Sequence, residues 1–593
     1  MRLSGVFILL LSGCVRYYAS PPPALAETPA EDPPGRVARL SYLEGPVSFK
    51  AAGTDEWVAA SLNRPLTIGD SLWTDSDARA ELTIGTAALR LDSRTGVRIL
   101  NLDDDAVQLS VPEGAVRFHV RSVEANETIE VDTHSAAISL LRSGDYRVEA
   151  RPDSDAIRVV VRSGVADTAT GGEPFVIREN QEAILAGANA KPDIRPAPPL
   201  DAFDVFCDRR ESGLGQTETL RHVSREVVGW EDLDRYGSWE VDAAYGPLWI
   251  PRSVAAGWAP YRMGHWVWVH PWGWTWVDET PWGFAPFHYG RWVFLRARWC
   301  WVPGPPRVRV VYAPALVVFV GGGSPGLRYH VRIGVQIGIG WFPLGPHEIY
   351  IPPYRASRTY ITRINVSHTL IRNRDSIPRT DVTRQVYANR RVAGAITAVP
   401  EDAFTRGGRI AGAAAPLPPR EAAAVRVTGS EAPVAPGPRS VSGDPGETRV
   451  ARPPDRFDSR PAVVRRTPAQ APPSFERRRP ELERDPGRPL DRETTERLRR
   501  EQPAPNEPAY RQVPESTGRS AAGQPSRTAP PAVEQRQDRR TVDRDRRDSE
   551  QRRETIEKER KQQPAPRVRQ KRSAEPESRD RSKESGASQR REQ

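Results

Sequence analysis

Cysteine is scarce in this sequence, and so are the residue spacings of metal sites. The 593 residues include three cysteines and nine scattered histidines. No CxxC pair and no HExxH motif occurs, although common zinc sites use these spacings. We therefore predict no metal site.

The motifs of common catalytic sites are also missing. The glycine-rich run at 321–326 lacks the Gly-Lys-Ser/Thr ending that a phosphate-binding loop requires. No Gly-x-Ser-x-Gly elbow occurs in the part predicted to fold, and scattered serines and histidines do not make a catalytic triad. We predict no cofactor, no catalytic residue and no enzymatic activity.

Long apolar runs are absent too, since no run reaches the ~20 residues of a membrane-spanning helix. The apolar run at residues 3–11 follows Arg2 and ends in Leu11-Ser12-Gly13-Cys14. A positive residue, a short apolar segment and small residues before a cysteine resemble a bacterial lipoprotein signal. This resemblance predicts a signal peptide at 1–13 and lipidation of Cys14.

A lipid on Cys14 predicts contact with a membrane in the cell envelope. Val15 rather than an aspartate follows the cysteine, which by analogy favours an outer-membrane lipoprotein that faces the periplasm. Residues 14–35 are rich in proline and alanine, which predicts a tether. Export argues against nucleic acid as a partner, although 80 arginines accompany six lysines.

Aromatic residues almost disappear near the C-terminus, where three remain in the last 189 residues. Proline, arginine, glutamate and serine dominate there, and the formal charge of residues 401–593 is +11 against +10 for the whole chain. So little apolar surface does not offset the entropy of an ordered chain. We predict a linker at 372–400 and a disordered basic tail at 401–593.

Tryptophan, in contrast, is concentrated in one region, because 14 of the 16 tryptophans lie between residues 230 and 341. A Gly-x-Trp phrase recurs at 237–239, 264–266 and 290–292, and each copy is followed by further tryptophans. Within a copy, aromatic and β-branched residues alternate on both sides of a turn. The repeat predicts three β-hairpins that share one aromatic core.

The tryptophans of this repeat allow two interpretations. Their rings either fill the core of a small domain, or some of them lie on an exposed face and stack against sugars, with Arg262, Arg291 and Arg298 nearby for anionic groups. The candidate stacking residues are Trp266, Trp268, Trp274, Trp276, Trp292 and Trp301. In the envelope, peptidoglycan or an anionic polysaccharide is the candidate ligand.

Short alternating strands broken by glycine and aspartate predict an all-β domain at 36–195. Four phrases occur in order within it: EGPV at 44–47, LTIGDSL at 66–72, AEL at 80–82 and EGAVRF at 113–118. In these phrases the domain resembles the FecR periplasmic domain, which is named for a regulator of iron-citrate uptake. The resemblance implies binding and signal transmission rather than catalysis.

Two further segments complete the predicted order of domains. Residues 196–235 space their apolar side chains as one or two amphipathic helices do, which predicts a helical linker. Residues 236–371 are predicted to form the Trp-rich β domain, whose phrases GWAPY, PWGWTWV and PWGFAPF resemble an uncharacterised family of Trp-rich envelope proteins. That family implies no activity. Cys207 and Cys300 either pair in a disulfide or remain two buried thiols.

The sequence thus predicts a mainly β protein with a FecR-like domain, a short helical joint, a Trp-rich hairpin domain and a long disordered tail. We predict a non-enzymatic envelope lipoprotein that binds or scaffolds, with peptidoglycan or polysaccharide as ligand. The alternative is a FecR-like envelope sensor or regulatory protein that binds another envelope protein.

Overall fold

Strands dominate the chain, as the alternating sequence pattern predicts. The computed structural model describes residues 32–513, except for 152–153, 188, 215–216, 325–326, 334–335, 418, 445–449 and 502–509. The lipidation site Cys14, the predicted signal peptide, most of the tether and residues 514–593 lie outside the described residues.

Residues 38–196 form the first β domain, which consists of seventeen strands among the described residues. These strands are β1 Ala38–Glu44, β2 Val47–Lys50, β3 Trp57–Ala59, β4 Pro65–Leu66, β5 Ser71–Thr74, β6 Arg79–Ile84, β7 Ala87–Leu91, β8 Thr95–Leu102, β9 Ala106–Val120, β10 Thr128–Asp132, β11 Ala137–Leu140, β12 Gly144–Ala150, β13 Ile157–Ser163, β14 Val165–Ala169, β15 Phe175–Arg178, β16 Gln181–Leu185 and β17 Asp193–Pro196.

The strands make two sheets that share the long strand β9. In sheet A the order is β4-β1-β6-β7-β9-β12-β13-β16-β17, and in sheet B it is β3-β2-β5-β8-β9-β10-β11-β14-β15. β9 passes from one sheet to the other at Gly114, which has a φ of 102°. A side chain there would also overlap Thr95, so only glycine fits this crossing.

Aliphatic side chains fill the space between the two sheets. Leu82, Leu89 and Val148 of sheet A belong to the same buried cluster as Leu72 and Val131 of sheet B. Because side chains alternate along a strand, the residues between them point to the outer faces of the domain. These outer faces carry charged and aromatic residues and, as shown below, other parts of the chain cover them.

Two helices connect the first β domain to the rest of the chain: α1 Ala202–Ser212 and α2 Leu233–Tyr236. They lie in the segment predicted to be helical. Short 3₁₀ turns occur at Thr219–Arg221 and Trp230–Asp232. None of the helices among the described residues has the length and apolar character needed to span a membrane.

Residues 230–429 form the second β domain, which begins with three hairpins, as predicted. The hairpins are β18 Gly237–Asp242 with β19 Gly246–Pro251, β20 Gly264–Val269 with β21 Gly273–Asp278, and β22 Arg291–Leu295 with β23 Arg298–Val302. Trp249 of β19 pairs with Trp301 of β23, so the first and third hairpins join in one sheet. The short helix α3 Ala285–His288 precedes the third hairpin.

A six-stranded sheet completes the second β domain and extends beyond the predicted domain boundary. Its strands are β24 Val317–Ser324, β25 Leu327–Ile333, β26 Gln336–Pro343, β27 Thr397–Pro400, β28 Ala415–Pro416 and β29 Arg426–Gly429. Helix α4 Arg358–His368 and 3₁₀ turns at Arg374–Arg379 and Asn389–Arg391 lie between β26 and β27. The predicted boundary at 371 and the predicted linker at 372–400 are therefore wrong.

The predicted start of the disordered tail at residue 401 is wrong, because described residues beyond it form ordered elements. Residues 401–501 and 510–513 include ordered elements, namely β28, β29, α5 Glu401–Thr405, α6 Pro419–Ala424, α7 Pro438–Ser442, α8 Arg456–Ser459, β30 Ala462–Val464, α9 Phe475–Arg484, α10 Arg492–Arg500 and β31 Tyr510–Gln512. We call the described residues 450–501 and 510–513 the strap, because several of them pack on the first β domain.

In the described part of the tail, aromatic residues pack on the two β domains. Phe404 stacks on Trp266 with ring centroids 5.2 Å apart, and Phe457 packs edge-on against Trp57 at 5.5 Å. Composition predicts disorder when a segment has too few apolar residues to form a core of its own. This tail uses the cores and faces of the two β domains instead.

Candidate functional site

The repeated glycine of the Trp repeat leaves room for an indole from the neighbouring strand. The indoles of Trp249, Trp276 and Trp301 cover Gly237, Gly264 and Gly290 respectively. At Gly264, a Cβ atom would lie 2.6 Å from the Trp276 ring, inside van der Waals contact, and the clash is closer at the other two glycines. The 26–27-residue period therefore reflects a packing requirement of each hairpin.

A second repeated feature is a pair of tryptophans directly opposite each other in each hairpin. The pairs are Trp239 with Trp249, Trp266 with Trp276, and Trp292 with Trp301. The rings of the middle pair meet edge-on with centroids 5.4 Å apart, the geometry that aromatic quadrupoles favour.

Of the two interpretations of these rings, the structure supports the core and not ligand stacking, because it buries all six candidate stacking residues. Trp266, Trp268, Trp274, Trp276, Trp292 and Trp301 are between 0 and 4 % exposed. Four of their indole N–H groups are also satisfied internally, since they donate to Val434 O, Asp278 Oδ2, Pro286 O and Tyr289 O. The rings serve as the core of the second β domain.

The arginines expected beside these rings have internal partners as well. Buried Arg291 donates to the carbonyl of Glu348 at 3.1 Å, and burial lowers the pKa of its guanidinium to about 10. Arg262 donates to the carbonyl of Gly257 at 2.7 Å, and Arg298 pairs with Glu240 at 3.1 Å. None of the three presents an unpartnered cation to a ligand.

Of the two alternatives for Cys207 and Cys300, the structure agrees with two buried thiols and not with the possible disulfide, because both residues are free and buried. Cys207 lies in α1 beside Arg90 and Arg117 of the first β domain, and burial raises its pKa to about 12. Cys300 lies in a small cluster of the third hairpin with Leu248. The two thiols therefore pack in different parts of the structure.

Two buried histidines of the second β domain are neutral and have backbone partners. Burial lowers the pKa of His288 and of His368 to about 3. His288 and His368 instead hydrogen-bond the carbonyls of Ala313 and Val311. Among the described residues, no group of three His, Cys, Asp or Glu side chains is placed to hold a metal ion.

A dense cluster of ion-paired side chains lies where helix α1 crosses the outer face of sheet A. Glu81, Arg90, Arg117 and Arg147 stand in one row across four neighbouring strands. Three arginines side by side repel one another unless acids neutralise them. We call this row the arginine row.

Helix α1 supplies these acids from one face. Its Asp201, Asp204, Asp208 and Glu211 follow each other at intervals of three, four and three residues. Arg147 pairs with Asp201 at 2.7 Å, Arg117 with Asp208 at 2.6 Å, and Arg90 with Glu211 at 2.8 Å. One helical turn rises about 5.4 Å and strands lie about 4.8 Å apart, so each turn meets the next strand.

The acids of α1 were missed by the sequence analysis, which considered the apolar spacing of this segment. Their signal is readable in retrospect, because acids at positions 201, 204, 208 and 211 share one helix face. The arginine row that they face is not readable, because its residues come from strands that are far apart in the chain. Only the order of the sheet brings them together.

Glu211 connects this interface to an open cleft at the end of the helix. Besides Arg90, its carboxylate pairs with Arg121 at 3.1 Å and with His119 at 3.2 Å. His119 in turn contacts Asp145 at 3.0 Å through Nδ1. The Arg121 guanidinium also lies 5.9 Å from the centre of the Trp230 ring, at the start of the second β domain.

The cleft has a volume of about 950 Å³ and lies at the joint between the two β domains. Strand ends of the first domain, the end of α1 and Trp230 all contribute to its wall. Arg142, Arg178 and Arg225 line it, are exposed, and make no ion pair with any described residue. Four arginines, Arg121 included, outnumber the two acids Glu179 and Glu211 in the lining, so the cleft is net basic, and one ligand in it would touch both domains and the helix between them.

Comparisons with known families agree with the predicted domains. Residues 70–167 match the family "FecR protein", and residues 230–348 match the "Family of unknown function (DUF6600)". The chain therefore contains a FecR domain, within the first β domain, and a separate DUF6600 domain, within the second. No curated protein is significantly similar to this chain.

Two solved structures are also similar to part of the chain. Both are crystal structures of a protein from Parabacteroides distasonis ATCC 8503 that is provisionally assigned as an anti-sigma factor. They are 18 % and 17 % identical, and the match covers 24 % of this chain and 64 % of each of theirs, with a TM-score of 0.21. The chain thus spans less than two thirds of their length, and a TM-score this low carries no argument.

Proposed function

We propose that this protein is a non-enzymatic regulatory protein of the cell envelope, whose FecR domain binds a segment of a partner protein. The observation that carries the proposal is the basic cleft at the joint between the domains. The FecR family is regulatory rather than enzymatic, which is consistent with a binding role. In this proposal the protein is anchored to the outer membrane through lipidated Cys14 and faces the periplasm.

The charge of the cleft suggests the chemistry of the partner. Arg142, Arg178 and Arg225 project unpaired charge into it, whereas the carboxylate of Glu211 is already shared by Arg90, Arg121 and His119. An acidic segment would therefore find free guanidinium groups, which bind carboxylates in a bidentate manner. We propose an acidic peptide segment of an envelope protein as the ligand.

The position of the cleft suggests how binding is transmitted. A ligand that draws Arg121 away from Glu211 removes one of the ion pairs that hold the end of α1 to the first β domain. Helix α1 lies in the segment that connects the two β domains. Binding at the cleft would in this way be coupled to the arrangement of the domains.

Site-specific photo-crosslinking in cells tests this proposal. A photoreactive amino acid replaces Ser212 in the cleft or, as a control, Val386 of the second β domain, which is 72 % exposed. We expect one protein to be crosslinked from position 212 and not from 386, and the yield to fall at least five-fold in an Arg142→Glu/Arg178→Glu background. Arg384→Glu, at an exposed position outside the cleft, is the matched charge reversal and should leave the yield unchanged.

Two outcomes would overturn the proposal. Crosslinks from position 212 to peptidoglycan alone would favour the glycan-binding alternative, and equal yields in both charge-reversal backgrounds would show that the cleft does not recognise acid. A Cys14→Ala variant checks the anchor in the same cells, since we expect it to leave the membrane fraction.

A further inference from the structure

The outer face of sheet B carries two tryptophans that do not belong to the core of the first β domain. Trp57 on β3 and Trp73 on β5 form a separate buried cluster, which they share with Ala451 and Phe457 of the strap. Their sequence neighbours Val58 and Leu72 point the other way, into the sandwich core. The strap therefore covers two indoles that the domain itself presents on its surface.

Between these indoles, the sheet leaves a hole for one aromatic ring. Gly96 on β8 lies directly opposite Trp73, and a side chain at Gly96 would overlap the ring of Phe457. Phe457 is 1 % exposed and meets Trp57 and Trp73 edge-on at 5.5 and 6.4 Å. The guanidinium of Arg98 lies over the same ring at 5.2 Å. An aromatic ring is thus contacted on several sides by side chains of the domain.

Charges on both sides of the hole match the residues that flank Phe457. Glu113, opposite Gly96 on β9, binds Arg456 through two hydrogen bonds of 2.8 and 2.9 Å. On the other side, Lys50 and Arg98 bind Asp458 at 2.7 and 3.0 Å. Three consecutive residues are therefore recognised by an acid, an aromatic hole and two cations, in that order.

This arrangement has the features of peptide recognition rather than of core packing. The contacts are made by three consecutive residues, each with its own complementary group, and the two charged side chains are about half exposed. An aromatic anchor in a pocket with charged groups at its rim is how protein interfaces achieve affinity and specificity.

We infer that sheet B of the first β domain carries a peptide-recognition groove for a basic, an aromatic and an acidic residue in that order, which Arg456-Phe457-Asp458 occupies as a ligand in cis. A partner protein with the same three residues in an extended or single-turn segment would compete for it. A ligand tethered in the same chain acts at an effective concentration of the order of 1 mM, so the strap keeps weak competitors out. This groove is separate from the cleft and does not depend on the function proposed there.

Peptide binding in trans to the full chain tests the inference. The probe is a fluorescein-labelled peptide with the sequence of residues 452–460, RPPDRFDSR, measured by fluorescence anisotropy. We expect it to bind a Phe457→Ala chain at least ten-fold more tightly than the unaltered chain, whose hole is filled. Phe475→Ala is the matched control, because it removes another buried aromatic of the strap and leaves the groove occupied.

Two further variants separate recognition from folding. A peptide with alanine in place of its phenylalanine should lose binding at least ten-fold, and Gly96→Val in the Phe457→Ala chain should abolish binding by filling the hole. If Phe457→Ala fails to fold, the Arg456→Ala/Asp458→Ala chain is used instead. This double change frees Glu113, Lys50 and Arg98 for the added peptide, and both positions are about half exposed. Equal affinity for both peptides, or no binding to a folded chain with a vacated groove, would overturn the inference.

Discussion

The two β domains are stabilised by different side chains, although both are built from antiparallel strands. The first has a mainly aliphatic core between two large sheets, and its outer faces carry the arginine row, which α1 covers, and Trp57 and Trp73, which the strap covers. The second has short hairpins, and tryptophans fill its core. Both binding surfaces that we propose accordingly include outer faces of the first domain, and the tryptophans of the second are structural.

The size of the elements explains this difference. A long strand in a large sheet contributes several inward side chains, so valines and leucines suffice to fill the space between two sheets. A hairpin of five or six residues per strand contributes few inward positions, and each must cover more area. A buried aromatic side chain covers about 150–250 Å², more than an aliphatic one.

The comparison is tested most strongly by removing one central indole. Trp266 is fully buried and packs against Trp276, Phe319 and Trp341. We expect Trp266→Ala to lower the free energy of unfolding by about 3–5 kcal/mol, through lost burial and the cavity that remains. Urea denaturation followed by tryptophan fluorescence measures this loss.

Phe294→Ala in the third hairpin is the control for that experiment, because Phe294 is partly exposed. Phe294→Ala should lower the free energy of unfolding much less than Trp266→Ala does. If both variants lost the same stability, the tryptophans would not be the core of the second domain.

The packing origin of the Trp repeat predicts a smaller effect at its glycines. At Gly237, an added methyl group meets the Trp249 indole, whereas at Gly213 it meets nothing within 4 Å. We expect Gly237→Ala to cost about 1–3 kcal/mol through overpacking, and Gly213→Ala to cost close to nothing. Thermal unfolding followed by circular dichroism would distinguish them, and equal melting temperatures would contradict the packing explanation.

The smallest expected difference is in pH dependence. Burial lowers the pKa of His265, His288 and His368 to about 3, below the ordinary 6.5. These histidines stay neutral when folded but bind protons when unfolded, so acidification from pH 7 to 5.5 destabilises the second domain. Burial also lowers the pKa of His270 to about 3, which adds to this loss, whereas Asp278 and Glu231, whose pKa values burial raises to about 7, oppose it. We expect a net loss on the order of 1 kcal/mol.

The first domain should lose less stability over the same range, because two of its groups oppose each other. Burial raises the pKa of Asp70 to about 6, so acidification adds stability at this group, whereas burial lowers the pKa of His134, so acidification costs stability there. Hydrogen exchange at pH 7 and 5.5, corrected for intrinsic rates, measures both domains at once. His288→Gln should weaken the pH response of the second domain and the exposed His347→Gln should not. Parallel changes in both domains would contradict this prediction.

Much of the fold was predictable where a short sequence pattern defines the local structure. Alternation predicted the strands of the first domain, and the Gly-x-Trp repeat predicted the three hairpins at their positions. The candidate stacking residues were wrong because exposure depends on what packs over a hairpin, and Phe404, from a segment taken to be disordered, is one of the residues that cover it.

The candidate sites were less predictable for the same reason. Strand order brings Arg90, Arg117 and Arg147 side by side, although the chain separates each from the next by about 30 residues. The groove for Phe457 combines strands of the first domain with a residue more than 350 positions away. No local pattern marks either site.

The sequence by itself determined the β character of both domains, the hairpin repeat and the concentration of tryptophan, because these follow from the short-range alternation of side chains. The tertiary structure alone decided which rings are buried, which charges meet across α1, and that residues of a proline- and arginine-rich tail are ordered. Those outcomes depend on surfaces that exist only after distant strands have paired, and a segment that packs on such a surface needs no core of its own.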